Sequence, residues 1–504
     1  MFTKIKAYLG KNLWFFPLLA GAILRLYKMT SSSIWHDEGY TMWLLKYDLV
    51  GIIERTARDV HPPGYYLLSK PWVLAFGDSE FSIRFFSALF SIGIIYLVYR
   101  IVKEVWSERA AFWASLFVAL SPFMVRFGQE ARMYGVVAFF TTLATFFLVK
   151  MIKEKNYKYL YVYVPTMLVA MYTQYYAFFV IIAHWVILSI YTRGFWVLKW
   201  KESFQEKLGV FSWKWWLANA ALVMGYLPWF YVAFKQVTRI SGSYWIQPEW
   251  INLRTIPNNI LQFALYTHLD DLFNWNNIIG GATWALLVFL GIFSGLLIFR
   301  DKTRTKANLS LFVFGYLAMI LVFIVSKLKT PIYQDRYFPF AAIGIFAIWG
   351  ILVAGIKNKY LHYVAGIWVV GLLLLGNYVM HQDVNHQMKA LKSAITENMQ
   401  EGDKVYSGEL YTFLDGAYYF GYNSIKFISD PVDGYGESSL FYDQQEKYVA
   451  TIEQASESDR VWVIGKTGDK DYFSPEMWPT HEGRIIFEES GKNNGLKAVL
   501  YSRN

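Results

Sequence analysis

An aspartate and a glutamate stand side by side, Asp37 and Glu38, about ten residues beyond the first hydrophobic run of the chain. A carboxylate pair just outside a membrane helix and flanked by Trp35 and Tyr40 costs desolvation energy. One interpretation is a solvated start of the next helix, because acidic residues favour helix N-termini. The other is chemistry, in which one carboxylate accepts a proton and its neighbour supports it.

Basic residues gather in two later turns that also follow hydrophobic runs. The first turn contains Arg126, Glu130 and Arg132, and the second contains Lys329 and Arg336. Guanidinium and ammonium groups pair strongly with phosphate oxygens, so these turns predict a phosphate site. Ion pairs within the turn and anchoring to lipid headgroups are the structural alternatives.

A histidine before two prolines, His61-Pro62-Pro63, follows the acidic pair. The prolines predict an extended turn. His61 is a candidate metal ligand, a phosphate contact or a hydrogen-bonding residue of the turn, and the last is commonest for a lone histidine. The sequence contains no zinc-ligand spacing, nucleophile elbow or phosphate-binding glycine loop.

One carboxylate and several cations suffice to transfer a sugar from a lipid phosphate. A glycosidase needs an acid to protonate its leaving group and a second carboxylate as base or nucleophile. A phosphate leaves without protonation, so cations that stabilise its charge replace the acid. A single general base then takes the proton of the acceptor hydroxyl.

The composition identifies a polytopic membrane protein. Of 504 residues, 55% are hydrophobic, 19% aromatic and only 17% charged. The net charge of +10 reflects membrane topology and anionic lipid, and we predict no nucleic-acid partner. The absence of cysteine excludes disulfides, thiolate metal sites and cysteine nucleophiles. No signal-peptide cleavage pattern is recognisable, so we expect the first span to be retained.

Hydrophobic runs of sufficient length predict about eleven membrane helices. They lie near residues 12–27, 86–103, 109–126, 134–152, 159–173, 176–191, 215–234, 278–299, 307–326, 337–355 and 360–380. Lys and Arg are concentrated before the first run and after the second, fourth, sixth, eighth and tenth. The positive-inside rule therefore predicts a cytoplasmic N-terminus and an external C-terminus, in the plasma (inner) membrane.

The outer side is thus predicted to hold residues 28–85, a short turn at 127–133, the loop 235–277, the turn 327–336 and everything after about 381. Within 28–85, Thr41–Arg58 and Tyr65–Phe76 have the spacing of amphipathic surface helices. We predict two domains: residues 1–380 form an all-α membrane domain, and residues 381–504 a small extracytoplasmic α/β domain.

The C-terminal domain is predicted from polar sequence that alternates with short apolar runs. A helix is expected over His386–Asn398. Strands are expected at Lys404–Tyr406, Arg460–Ile464, Ile485–Phe487 and Ala498–Tyr501.

Five motifs together resemble prokaryotic members of the dolichyl-phosphate-mannose protein mannosyltransferase superfamily, which includes aminoarabinose transferases acting on lipid A. They are Trp35-His36-Asp37-Glu38, His61-Pro62-Pro63-Gly64-Tyr65-Tyr66-Leu67-Leu68, Gln129-Glu130-Ala131-Arg132-Met133-Tyr134, Tyr175-Tyr176-Ala177 and Arg336-Tyr337. The resemblance covers roughly residues 10–380. It implies the C-type glycosyltransferase fold, a polyprenyl-phosphate sugar donor and inverting transfer on the outer face.

The resemblance also implies roles for individual residues. Asp37 would be the general base with Glu38 in support, and Glu130 is a further catalytic candidate. The remaining candidates fall into two groups. Donor-phosphate contacts would be Arg132, Arg336, Lys329 and His61; substrate contacts would be Trp35, Tyr65, Tyr66, Gln129, Tyr134, Tyr175 and Tyr337. Where this chain has His61, the lipid A transferases have a lysine before proline, so that contact does not transfer directly.

Two alternatives and one cofactor question stay open at this point. The same fold serves oligosaccharide transfer or glycan ligation from a lipid-linked donor, with a protein, lipid or glycan acceptor. A transporter or flippase of lipid-linked sugars is the alternative from another class, but such proteins place charges near the bilayer midplane and use repeats. A divalent metal, if one takes part, would be bound by Asp37, Glu38 or His61.

Overall fold

The computed structural model describes residues 12–192, 212–243, 246–267, 305–382, 385–468, 472–489 and 495–503. The chain divides into two compact units. The helical unit comprises Met1–Tyr27 and Arg84–Asp383, and the mixed unit comprises Lys28–Ile83 and Val384–Asn504. Residues 28–83 therefore group with the C-terminal part of the chain, whereas the sequence prediction assigned them to the membrane domain.

The helical unit is built from long apolar helices. They are Phe15–Leu26, Glu80–Val105 (which begins in the mixed unit), Glu108–Leu120, Pro122–Gln129, Tyr134–Glu154, Leu160–Thr173, Ala177–Thr192, Trp213–Ser243, Thr255–Leu265, Thr305–Phe312, Ala318–Leu328, Pro339–Gly355 and Lys359–Gln382. A turn of π-helix, Val313–Leu317, continues Thr305–Phe312 into Ala318–Leu328. The predicted span 278–299 lies outside the described residues.

Among the described helices, five are long and apolar enough to cross a membrane. A sixth candidate is the pair Glu108–Leu120 and Pro122–Gln129, which bends by 56°. Phe15–Leu26, Ala177–Tyr191 and Pro339–Gly355 are shorter apolar helices. The chain is thus a multi-pass, mostly helical protein, and the number of eleven spans and the orientation of its ends stay predictions.

The bend at Ser121-Pro122 follows from the sequence. Proline cannot donate a backbone hydrogen bond within a helix, and the Ser121 hydroxyl caps the second helix by accepting from the Met124 amide at 3.3 Å. The buried Arg25 guanidinium donates to the Ala119 carbonyl oxygen near the break at 3.0 Å and to the Ser91 hydroxyl at 2.7 Å. This break leads the chain into the turn that contains Glu130 and Arg132.

A six-stranded sheet forms the core of the mixed unit. Its strands are β1 Lys404–Ser407, β2 Ile425–Ile428, β3 Val449–Ala450, β4 Arg460–Lys466, β5 His481–Glu489 and β6 Leu496–Arg503. Their order is β3-β2-β1-β4-β6-β5, parallel from β3 to β4 and antiparallel at β6 and β5. The four predicted strands are confirmed with extended bounds, whereas the sequence analysis missed β2 and β3.

Helices surround this sheet and connect its strands. They are Gln387–Asn398, Leu410–Phe420 (here the crossover helix, between β1 and β2), Gln445–Tyr448 and Ile452–Ala455. The segment 28–83 adds His36–Leu44 (here the motif helix), Leu49–Arg58 and Gly64–Phe76. The single surface helix predicted over Thr41–Arg58 is wrong, because the motif helix ends at Leu44 and Asp48 caps a new helix by accepting from the Gly51 amide at 2.7 Å.

Candidate functional site

The acidic pair lies in the first turn of the motif helix. Trp35 precedes it in an extended conformation, and the helix begins at His36. Carboxylates are favourable at this position because the free amides of a helix N-terminus carry partial positive charge. Glu38 is 1% exposed, whereas 15% of the Asp37 side chain is exposed. Asp37 is therefore the more accessible carboxylate of the two.

The ring of His36 lies beside Asp37 and connects the motif to the C-terminal part of the chain. Its Nε2 atom is 3.6 Å from Asp37 Oδ1. The ring packs against Tyr411 at 4.5 Å and against Trp35 at 4.8 Å between centroids. A histidine of the motif and a tyrosine of the crossover helix thus border the accessible carboxylate.

The motif helix is fixed to the sheet by close backbone contact. A Cβ atom on Gly39 would lie 2.9 Å from the Leu414 carbonyl oxygen and 3.3 Å from the Asp415 nitrogen. Any side chain at position 39 would separate the motif helix from the crossover helix. The glycine therefore determines how closely Asp37 and Glu38 approach the C-terminal residues.

Trp43 anchors the other end of the motif helix. The indole is 2% exposed and is surrounded by four aromatic rings at 4.9–5.7 Å between centroids, those of Phe413, Tyr422, Phe441 and Tyr448. Buried aromatic clusters of this kind contribute several kcal/mol of packing energy. The acidic pair therefore stands on a rigid helix rather than on a mobile loop.

The segment after the motif helix supplies His61, Tyr65 and Tyr66. His61 is partly exposed in the turn before the helix Gly64–Phe76. Tyr65 and Tyr66 are each 1% exposed, and the Tyr66 ring lies 6.1 Å from that of Tyr40. Both tyrosines are core residues of the mixed unit at the side of the motif helix.

In the helical unit, the predicted turn 127–133 begins within the helix Pro122–Gln129 and is a non-helical turn only over 130–133. Arg126 lies in the helix Pro122–Gln129, and Glu130 follows directly after it. Arg126 Nε and Glu130 Oε1 form an ion pair of 3.1 Å, and Glu130 is almost fully buried. Gln129 lies on the same helix, and its side-chain amide donates to Arg25 O at 3.1 Å and to Tyr27 O at 3.0 Å. Gln129 thereby caps the end of the helix Phe15–Leu26.

Arg132 lies within this turn, and three tyrosines lie beyond it. Arg132 is 3% exposed, and its carbonyl accepts from Ser87 Oγ at 3.4 Å. The ring of Tyr337 lies 6.0 Å from Tyr134 and 5.0 Å from Tyr176. The Arg336 guanidinium lies 5.7 Å from the Tyr337 ring. The structure therefore brings Tyr134, Tyr176 and Tyr337 close together, with Arg336 next to Tyr337; the role of these residues as one site stays a prediction.

Two predicted residues of this unit lie elsewhere. The Tyr175 hydroxyl donates to Gln236 and accepts from Trp229 Nε1 at 3.0 Å, so Tyr175 packs on the long helix Trp213–Ser243. Lys329 is exposed directly after the helix Ala318–Leu328.

Metal ligands are not grouped in the described part of the chain. No three His, Asp or Glu side chains there are arranged to hold a metal ion. The candidate set Asp37, Glu38 and His61 accordingly does not form such a group.

The sequence analysis missed three charged residues near the motif, Glu409, Asp415 and Lys466. Lys466 Nζ and Glu409 Oε1 form an ion pair of 2.6 Å. Burial first, and then the charges of Glu409, Glu38 and Asp37, raise the pKa of Asp415 well above its ordinary value, while Lys466 opposes the shift. In the sequence, the one signal for these residues was that Glu409 follows the predicted strand Lys404–Tyr406. The proximity of Asp415 to Glu38 depends on tertiary packing.

Comparison with known proteins confirms the resemblance. Residues 60–212 match the family model described as dolichyl-phosphate-mannose-protein mannosyltransferase. YkcB of Bacillus subtilis (strain 168), a mannosyltransferase by its assigned name alone, is 26% identical over 153 residues. That match covers 27% of this chain and only 20% of the relative.

Solved structures share the fold over nearly the whole chain. ArnT from Cupriavidus metallidurans bound to undecaprenyl phosphate matches with a TM-score of 0.62 at 12% identity, covering 97% of this chain and 98% of that one. The oligosaccharyltransferase AglB from Archaeoglobus fulgidus, in complex with an inhibitory peptide and a dolichol-phosphate, matches with a TM-score of 0.52 at 12% identity. That match covers 99% of this chain and 74% of AglB. The chain therefore has the C-type glycosyltransferase fold.

Proposed function

We propose that this protein is an integral membrane glycosyltransferase that moves a sugar from a polyprenyl-phosphate donor to an acceptor hydroxyl on the outer face of the membrane. One observation carries the proposal: an accessible carboxylate, Asp37, stands beside a buried one in the first turn of a rigidly packed helix, in a chain with the C-type glycosyltransferase fold. The matched family and the lipid phosphates named for the similar structures support the donor class.

Asp37 acts as the general base. The acceptor hydroxyl gives its proton to the Asp37 carboxylate while its oxygen forms a bond to the anomeric carbon of the sugar. The bond from that carbon to the donor phosphate breaks, and polyprenyl phosphate leaves with the electron pair. Attack opposite to the leaving group inverts the anomeric centre. Glu38, which is buried beside the base, supports its orientation.

Arg132 and Arg336 are proposed as donor-phosphate contacts, with Lys329 and His61 as further candidates. A leaving phosphate gains negative charge, and positioned cations stabilise that charge. Arg336 lies beside an aromatic group, Tyr134, Tyr176 and Tyr337, whose rings are suited to a sugar or prenyl face. Trp35, Tyr65, Tyr66, Gln129 and Tyr175 stay predicted substrate contacts, although Gln129 and Tyr175 already hydrogen-bond within the fold.

Transfer of a lipid-linked oligosaccharide is the second candidate. It is favoured by the likeness to AglB, which covers 99% of this chain. The two candidates differ in the size of the glycan moved, so analysis of the transferred product distinguishes them. Transport of lipid-linked sugars is less well supported, because transporters place charges near the bilayer midplane. The acidic pair instead stands at the start of a helix of the mixed unit.

The decisive experiment compares Asp37→Asn with wild-type protein in lipid vesicles. The probes are a panel of polyprenyl-phosphate monosaccharides with a total membrane extract as acceptor, and the readout is release of polyprenyl phosphate. Asn keeps the size of Asp37 but does not accept a proton, so turnover should fall about 10²- to 10⁴-fold. Glu38→Gln should cost less, and Asp430→Asn, at an exposed position, is the matched control.

Two results would count against the proposal. Wild-type protein that releases polyprenyl phosphate from no member of the panel would contradict the donor class. A fully active Asp37→Asn variant would remove Asp37 from the mechanism and make Glu38 or Glu130 the next candidate.

A further inference from the structure

The sheet of the mixed unit has a reversal of strand order beside the acidic motif. Strand β1 pairs with β2 on one side and with β4 on the other, all three parallel. In such sheets the chain leaves two neighbouring strands in opposite directions and opens a crevice at their carboxyl ends, where ligands bind. Here Glu409 follows β1 and Lys466 ends β4, and the two side chains form the ion pair described above.

The crossover helix starts at this crevice and carries Asp415 to the motif. Glu409 caps the helix by accepting from the Thr412 amide at 3.1 Å. One turn later, the Leu414–Asp415 peptide lies against Gly39, immediately after Asp37 and Glu38. A third carboxyl therefore adjoins the acidic pair from a segment far along the chain.

Asp415 has an unmatched polar atom. Its Oδ1 atom is buried and has no hydrogen-bond partner among the described residues. A buried polar atom without a partner destabilises the fold, so a fold retains one chiefly where something else supplies the partner. The charges around it are Asp37 and Glu38 on the motif helix, Glu409 before its own helix and Lys466 on β4.

The chemistry of the missing partner follows from the protonation state of Asp415. Burial and the neighbouring carboxylates raise the pKa of Asp415, which favours its neutral form. A neutral carboxyl group donates a hydrogen bond as well as accepting one. A carboxylate, by contrast, only accepts hydrogen bonds. A bound cation would favour ionised Asp415, and a phosphate would be repelled by the neighbouring carboxylates. An uncharged group rich in hydroxyls uses both the acceptors and the single donor.

We propose that Asp415 contacts the substrate at the acidic motif, where its carboxyl group hydrogen-bonds to a hydroxyl-bearing group of the acceptor or sugar. This inference rests on the proposed function, because it needs a hydroxyl-bearing substrate at Asp37. It assigns a residue of the C-terminal domain to substrate binding, in the crevice between β1 and β4.

The test compares Asp415→Asn and Asp415→Leu with wild type in the vesicle assay, with Asp430→Asn as the exposed matched control. The Asn amide still donates, so Asp415→Asn should keep activity within a few-fold at neutral pH. Asp415→Leu should lose about 10- to 100-fold in kcat/KM, the effect of an unmade buried hydrogen bond. Thermal unfolding of each full-length variant controls for misfolding.

The pH profile separates substrate binding from a structural role. As pH rises through the pKa of Asp415, wild type loses the donor and gains a negative charge, so its kcat/KM should fall on the alkaline side. Asp415→Asn has no proton to lose there and should lack that part of the decline, whereas Asp430→Asn should keep it. An Asn variant as impaired as the Leu variant, or one with an unchanged alkaline decline, would overturn the inference.

An infrared measurement decides the protonation state without any activity. At neutral pH the carbonyl stretch of a protonated carboxylic acid should be present in wild type and in Asp430→Asn, and missing in Asp415→Asn. If wild type transfers no sugar, the proposed function fails while this band still tests Asp415. If the band is unaffected by Asp415→Asn, Asp415 is ionised and the inference fails even in an active enzyme.

Discussion

Arg336 is proposed as a contact of the donor phosphate. Its guanidinium is partly buried and lies beside the ring of Tyr337. Arg336→Ala should weaken use of the polyprenyl-phosphate donor by about 2–5 kcal/mol, the range for a desolvated charge pair that loses one partner. The measurement is kcat/KM for donor in vesicles, with the exposed Lys357→Ala as the matched control. Normal donor turnover by both Arg336→Ala and Arg132→Ala would make these residues simple membrane anchors.

Asp403 stabilises the C-terminal domain in a pH-dependent way. Burial alone would raise the pKa of its carboxyl, but hydrogen bonds from Arg460, Gln400 and Trp462 outweigh burial and lower that pKa. A lowered native pKa stabilises the fold above the unfolded-state value, and the contribution disappears as pH falls through the native value.

Asp403→Asn should therefore destabilise the protein at neutral pH by about 1–2 kcal/mol, since the partly exposed Arg460 is screened by water. The loss should shrink as the solution is acidified, which thermal unfolding of the full-length protein at several pH values measures. Asp459→Asn is the matched control, because its ion pair with Arg503 is exposed. An equal loss at acidic and neutral pH would show that the charge of Asp403 is unimportant.

At the scale of elements, the contact between the motif helix and the crossover helix controls the geometry of the acidic pair. Gly39→Ala places a methyl group 2.9 Å from a backbone carbonyl that has little freedom to move. We expect a loss of about 1–3 kcal/mol in the free energy of unfolding, as for overpacked cores, together with reduced turnover. Unfolding and transfer assays measure the two effects.

Gly371→Ala is the matched control for this substitution. It lies within the helix Lys359–Gln382, and a Cβ atom there meets nothing within 4 Å. It should be neutral or slightly stabilising, because alanine favours helix. If Gly39→Ala behaves like Gly371→Ala, the two helices are not rigidly apposed and the acidic pair does not depend on the C-terminal domain.

At the scale of the whole molecule, the alternation of basic loops predicts which parts face the cytoplasm. A reporter fused after Lys155 should score as cytoplasmic, and one fused after Asp383 as external. Paired phosphatase and fluorescent-protein reporters, which are active on opposite sides of the membrane, measure both positions. The opposite pattern would place the acidic motif on the cytoplasmic side and contradict an external transfer reaction.

The sequence by itself determined the elements whose signal is local. Apolar runs located the described membrane helices, because each run must bury its own surface and satisfy its own backbone. Ser121-Pro122 marked the end of a helix through the missing amide of proline. The types of Asp37, Glu38, Arg132 and Arg336 indicated a lipid-phosphate sugar transferase, and the matched family and fold support that interpretation.

Only the tertiary structure decided the features that depend on distant pairing. Strands β2 and β3, which the sequence analysis missed, are four and two residues long and exist through parallel pairing with β1 and with each other. The segment 28–83 packs with the C-terminal residues because Trp43 and Gly39 fit the crossover helix.

Asp415 shows the same difference between local sequence information and tertiary packing at a single residue. In the sequence it is one aspartate within an ordinary stretch of apolar and aromatic residues. Its burial, its missing hydrogen-bond partner and its proximity to Glu38 all result from a helix that packs on a segment nearly 400 residues earlier. Residue type determines which chemistry a side chain can perform, whereas protonation and partners depend on neighbours that only packing brings together.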